Sequence, residues 1–207
     1  MTDKPTNQRV KPQKSSAREW AESIFIAFIL AMIIRTFVIQ AFKIPSGSMR
    51  PTLIEGDRLM VNKLRYGPKL TIRFGQKIYF EMKRLPGFSK PKRGDIIVFI
   101  YPVDPSRDCI KRLIAFGGET VEIKDGEIYI NDQLIEDPVV KDIDYYNRGE
   151  YGQIAHKVQV PEGFVFVLGD NSGSSHDSRY WGFVPEGNIV GRAEFIYWPF
   201  SRLRFLK

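Results

Sequence analysis

The chain has 207 residues, 43% hydrophobic and 27% charged, which suits one folded domain with an appendage. Its single cysteine, Cys109, excludes an internal disulfide framework. Its two histidines, His156 and His176, lack metal-ligand spacing, so no metal is expected. The formal net charge is +7, and residues 1–19 alone hold five Lys/Arg against two acids. No Cys/His finger or aromatic RNA-binding signature accompanies that charge, which excludes nucleic acid as a partner.

Residues 1–19 are polar, basic and proline-containing, and read as a disordered tail. From Ala21 the composition turns apolar. Ile24 to Ile34 is unbroken, and Phe37-Val38-Ile39 extends the run past Arg35-Thr36. A bilayer needs about 20 mostly apolar residues, and Trp20 to Ile39 supplies them. Two other readings stand beside a membrane helix over residues 20–41. A cleaved leader has the same basic-then-apolar order, but no convincing small-x-small site follows. A buried core helix would also fit, because the uninterrupted run is only about half a span. The basic flank and Trp20 favour the anchor, with the N-terminus cytoplasmic and residues 42–207 outside. Arg35, near one end, is placed to snorkel to the headgroups.

The stretch Ile44-Pro45-Ser46-Gly47-Ser48-Met49-Arg50-Pro51-Thr52-Leu53 follows directly. Its prolines exclude mid-helix and central strand, and its glycine permits a tight turn. Taken alone it is an ordinary polar turn; a serine there acts as a nucleophile only beside a base. At about 3.3–3.6 Å per residue, Ser48 stays within roughly 30 Å of the membrane surface.

Beyond it the pattern is short strands. Arg58–Asn62 precedes a basic, Gly/Pro-punctuated connection from Tyr66 to Arg93 with no clear element. Asp95–Tyr101, Cys109–Phe116, Thr120–Lys124, Glu127–Ile130, Phe164–Leu168 and Ile189–Trp198 follow. Asp125-Gly126 between two of them is a strong hairpin signal. Turn residues at short intervals between β-branched and aromatic runs predict a mainly β domain, sandwich or barrel.

Lys111 lies inside the apolar stretch Cys109–Ile114. Taken alone it reads as a solvated lysine on an outward face. Its functional reading is a neutral amine whose pKa, ordinarily about 10.4, is depressed by desolvation. A serine beside such a lysine needs no histidine. Gly169-Asp170-Asn171-Ser172-Gly173-Ser174-Ser175-His176-Asp177-Ser178-Arg179-Tyr180-Trp181-Gly182 is a dense polar loop after an apolar strand, of a kind that holds a site together.

The serine stretch, Arg93-Gly94-Asp95, Lys111-Arg112, Gly169-Asp170-Asn171 and Asp177-Ser178-Arg179, in that order, resemble the motifs of type I signal peptidases. That resemblance implies an antiparallel β catalytic domain with a small inserted β-hairpin subdomain, roughly residues 117–162, tethered by one transmembrane helix. It implies a membrane-bound serine endopeptidase that cuts secretory preproteins after a small-x-small site, beside membrane lipid and without metal or organic cofactor. Ser48 would be the nucleophile and Lys111 the general base. Ser46 would supply an oxyanion donor with the Ser48 amide, and Ser175 would hydrogen-bond the lysine amine. Asp177 and Arg179 would brace the polar loop. Ile44, Pro45, Met49, Leu53 and Ile110 would lie near the pockets for small substrate side chains. Ser172-Gly173 stands where the family commonly has an Arg-Asp pair, and Cys109 where an aromatic or other apolar residue is usual. A Ser-Lys self-cleaving regulator and a non-catalytic, membrane-tethered β binding domain are the competing readings.

Overall fold

The structure, a computed structural model, describes residues 16–75 and 77–206. Most of the expected basic tail, residues 1–15, lies outside the described residues; residues 16–19 are helical rather than disordered. The chain divides into two units, Met1–Ile34 and Arg35–Lys207. The described part of the first is helix α1 (Ser16–Ile33), none of whose residues is buried. With the π-helical turn Ile34–Val38 it makes one apolar helical segment of 23 residues, long enough to cross a bilayer. At 1.5 Å per residue it reaches roughly 34 Å.

The second unit opens with strand β1 (Ile39–Lys43), paired antiparallel with β2 (Arg58–Asn62) from Ile39↔Asn62 to Lys43↔Arg58. The expected span over residues 20–41 is therefore too long at its end. Ile39, Gln40 and Ala41 belong to a strand, because pairing with β2 satisfies their backbone groups and leaves Gln40 and Lys43 outside the apolar run. Tyr66 to Arg93, unassigned by sequence, holds a separate hairpin of β3 (Thr71–Phe74) and β4 (Lys77–Glu81).

The remaining strands are β5 (Ile96–Ile100), β6 (Asp108–Phe116), β7 (Thr120–Lys124), β8 (Glu127–Ile130), β9 (Gln133–Leu134), β10 (Val158–Gln159), β11 (Phe164–Leu168), β12 (Val184–Pro185), β13 (Ile189–Trp198) and β14 (Arg204–Phe205). The fold is mainly antiparallel β, as the turn spacing predicts. The larger sheet runs β1-β2-β13-β5-β6-β11-β12, with β14 added to β13. Register shifts in β13 against β2 and β5, and in β11 against β6, mark bulges that bend and twist the sheet. The smaller sheet, β10-β7-β8-β9, is an insertion between β6 and β11. Its β7–β8 hairpin turns at Asp125-Gly126, both at positive φ, as an Asp-Gly turn requires. Val121, Ile123, Ile128 and Ile130 of this hairpin pack with Ile114, Phe166 and Leu168 of the larger sheet in one buried cluster.

The serine stretch is the β1–β2 connection. Its neck is closed by Ile44 N to Asp57 O at 2.9 Å and Gly56 N to Ile44 O at 2.9 Å. Asp57 is fully buried and accepts from both arms of Arg202, at 2.8 and 2.9 Å, so the C-terminal segment clamps the base of the loop. Removing one partner of a buried pair strands the other charge, typically at about 3–5 kcal/mol. Arg202 is partly exposed, so Arg202→Met is expected to cost about 2–3 kcal/mol in urea unfolding. A loss under about 0.5 kcal/mol would mean the clamp contributes nothing.

Candidate active site

Strand β6 is paired along both edges, with β5 and β11; its residues 111–115 are all buried, and neighbouring side chains point to opposite faces. Arg112, fully buried, sends its Nε to Asp170 Oδ1 at 2.8 Å, one Nη to Asp170 Oδ2 at 2.5 Å and the other to Gly94 O at 2.6 Å. Lys111, only 5% exposed, reaches the serine loop, with its Nζ 2.7 Å from Ser48 Oγ and donating to Ile110 O at 3.0 Å. Burial pushes the Lys111 amine below the ordinary lysine range; Cys109, Asp177 and Asp170 oppose the shift and Arg179 adds to it. A neutral amine has two N–H groups and one lone pair. One N–H serves Ile110 O, and the lone pair is free to take the Ser48 hydroxyl proton.

Ser48 lies in the 3-10 turn Gly47–Met49. Asn171 clamps that turn from the polar loop, through its N to Ser48 O at 3.1 Å and its Nδ2 to Gly47 O at 2.9 Å. Gly169 is where the two segments come closest. A Cβ there would stand 2.4 Å from Ser48 O and 2.2 Å from Ser175 Oγ. Only a glycine lets β11 end against the serine turn.

Asp177 and Arg179 form a fully buried pair that leaves nothing unsatisfied on the guanidinium. Its Nε and one Nη donate to the two Asp177 oxygens, both at 2.8 Å. The remaining N–H groups reach Tyr146 O at 2.8 Å, Ser172 Oγ at 2.8 Å and Ser172 O at 2.9 Å. Asp177 also accepts from Gly169 N at 3.0 Å, so the pair fixes the glycine that meets Ser48. Ser172 additionally accepts from Tyr146 N at 2.8 Å, and Gly173 O accepts from Arg148. The Ser172-Gly173 departure thus leaves the loop braced, by a small acceptor in the turn.

Two expectations need correction. Ser175 is buried beside Gly169 and Ser48, but its Oγ has no hydrogen-bond partner and does not hold the lysine amine. Met49 and Leu53, expected near the substrate pockets, are fully buried in a cluster with Leu59, Val61 and Ile196. Lying four residues apart in a tight turn, they peg the loop into the core. Ile44, Pro45 and Ile110 line a cavity of about 40 Å³, with Phe42, Val98 and Cys109. That is roughly the room of one water or methyl group. Ser46 stands exposed before the turn and makes no capping bond to it. Burial pushes the Cys109 thiol up, with Lys111 and Arg107 opposing. Sequence reasoning assigned no role to Gly169, Asp170, Asn171 or Arg112, although they stand inside the motifs that carry the resemblance.

The family model for signal peptidase, peptidase S26, matches residues 17–198. A signal peptidase I of Leptolyngbya laminosa is 37% identical over 98% of this chain and 94% of its own length. A signal peptidase I P of Bacillus subtilis subsp. natto is 34% identical over 98% of this chain and 100% of its own. A signal peptidase I of Pseudomonas aeruginosa is 33% identical over 87% of this chain and 73% of its own.

Two substitutions probe the geometry. Gly169→Ala is expected to leave a folded protein by circular dichroism and displace Ser48, at a cost of about 10² or more in any serine-dependent activity. Ser172→Ala strands a Tyr146 amide and an Arg179 N–H, and is expected to lower stability by about 1–3 kcal/mol in chemical denaturation.

Proposed function

The chain belongs to the signal peptidase family, peptidase S26, and from that membership we propose a membrane-anchored endopeptidase in which Ser48 and Lys111 form the catalytic dyad. The observation that carries this reading is the 2.7 Å contact between a buried, desolvated amine and a serine hydroxyl. Ser48 Oγ attacks the scissile carbonyl while Lys111 takes its proton. The tetrahedral intermediate collapses to an acyl-enzyme as the lysine, now an ammonium, protonates the leaving amine. The neutral lysine then activates water for deacylation. The Ser48 amide and the exposed Ser46 hydroxyl are the proposed oxyanion donors, Ser46 swinging in when substrate binds.

The substrates are secretory preproteins. The small cavity lined by Ile44, Pro45, Cys109 and Ile110 supports a preference for a small residue on the acyl side of the cut, hence a small-x-small site. Ser16–Val38 is proposed to cross the cell membrane once, with residues 1–15 cytoplasmic and the catalytic domain on the other face. Asp177 and Arg179 act as positioning residues, holding Gly169 and the polar loop against the serine turn.

Cleavage of a precursor bearing an Ala-x-Ala site, in detergent, tests the dyad. Ser48→Ala and Lys111→Met should each lower kcat by about 10⁴ or more, and Ser46→Ala by about 10²–10³ with little change in KM. Unchanged cleavage by Ser48→Ala or Lys111→Met would overturn the assignment. The base works only when neutral, and its pKa is lowered, so kcat/KM should rise with pH along a limb below the ordinary lysine value of about 10.4. A limb at or above that value would contradict a desolvated base.

A further inference from the structure

Residues 58–93 contain eleven Lys/Arg and one acid, Glu81. The segment alone carries more positive charge than the +7 of the whole chain, so the rest of the molecule is net acidic. Its start is fixed. Asn62 pairs with Ile39, Lys63 N donates to Val38 O at 2.9 Å, and Lys63 Nζ donates to Thr36 O at 3.0 Å. The basic segment therefore departs from the very residues at which the apolar segment Ser16–Val38 ends.

It then forms β3–β4, a hairpin that joins neither sheet. Its base is secured by Arg84, which donates to Gly67 O at 2.8 Å and to Ile189 O. The strands themselves are open. The cross-strand pair Ile72↔Phe80 is 52% and 51% exposed, and Tyr79 and Phe88 of the same segment are exposed as well. Lys77, Lys83, Lys90 and Lys92 are exposed and have no carboxylate partner among the described residues. Other cations of the segment are spent internally, as in Arg65 with Glu194 and Arg93 with Glu119.

We propose that the β3–β4 hairpin and the following segment to Lys92 form a docking surface for anionic lipid headgroups. Unpaired lysines alone would suit any polyanion, and an exposed apolar pair alone would suit a protein. Both together, on a segment rooted where a membrane span ends, fit the headgroup boundary. Apolar side chains enter there and lysines meet phosphates. The proposal rests on the reading of Ser16–Val38 as a span.

The test uses the full chain in nanodiscs of zwitterionic lipid, with or without about 30% phosphatidylglycerol. Brief acetylation is followed by mass spectrometry of Lys77, Lys83 and Lys90, with the exposed Lys141 of the insertion as internal reference. In anionic discs those three lysines should react about tenfold more slowly than in neutral ones, and about 0.5 M salt should restore their reactivity. Equal reactivity in both discs, in a chain that co-elutes with them, would overturn the docking surface alone. Protection that salt does not relieve would make the contact apolar rather than anionic, and would overturn it as well. A chain that fails to co-elute with either disc would overturn the span reading, and the proposal with it.

Discussion

The desolvated amine of Lys111 is the constraint on which the rest of the site depends. Each pKa unit by which burial lowers a lysine represents about 1.4 kcal/mol against its charged form. A stray carboxylate nearby would undo that shift by favouring the ammonium. The two carboxylates that do face it, Asp170 and Asp177, are each committed to a guanidinium, Arg112 and Arg179. Such pairs are weak evidence of stability, because desolvating two charges costs as much as their attraction returns. Here they have a second consequence: they let a low-polarity pocket contain acids without recharging the Lys111 amine.

The same pairs hold the serine turn in place. Asp177 fixes Gly169, Gly169 abuts the Ser48 carbonyl, and Asn171 holds the Gly47–Met49 turn. From the other side Met49 and Leu53 anchor the serine loop in the core, and Arg202 closes its neck through Asp57. The loop is thus held at both ends and from beneath, although its residues have the composition of an ordinary surface turn. Ser46 is left exposed, without a capping bond to the turn.

The β class, the central strands and the oddity of Lys111 were legible in sequence, because they rest on local signals. These were β-branched runs, an Asp-Gly turn, and a lysine where apolar residues belong. Contacts between segments were not legible. A Met and a Leu in a polar loop read equally well as pocket lining and as core pegs. Only the neighbours Leu59, Val61 and Ile196 decide it. Ser175 was expected on the lysine, and it arrives beside Gly169 without a partner. Residues 39–41 read as membrane by hydropathy, and become strand because β2 offers them a register. The β3–β4 hairpin was hidden by Gly, Pro and lysine, residues that signal a loop even when two short strands pair between them.

Direct titration of the Lys111 amine tests the central claim most directly. In the Ser48→Ala protein, competitive labelling of Lys111 across pH reports its neutral fraction, with an exposed lysine such as Lys141 as internal reference. A midpoint well below the ordinary lysine value is the predicted result, since burial is the dominant influence on the amine. A Lys111 midpoint at the ordinary lysine value of about 10.4 would mean that Lys111 is charged at neutral pH and cannot accept the Ser48 proton.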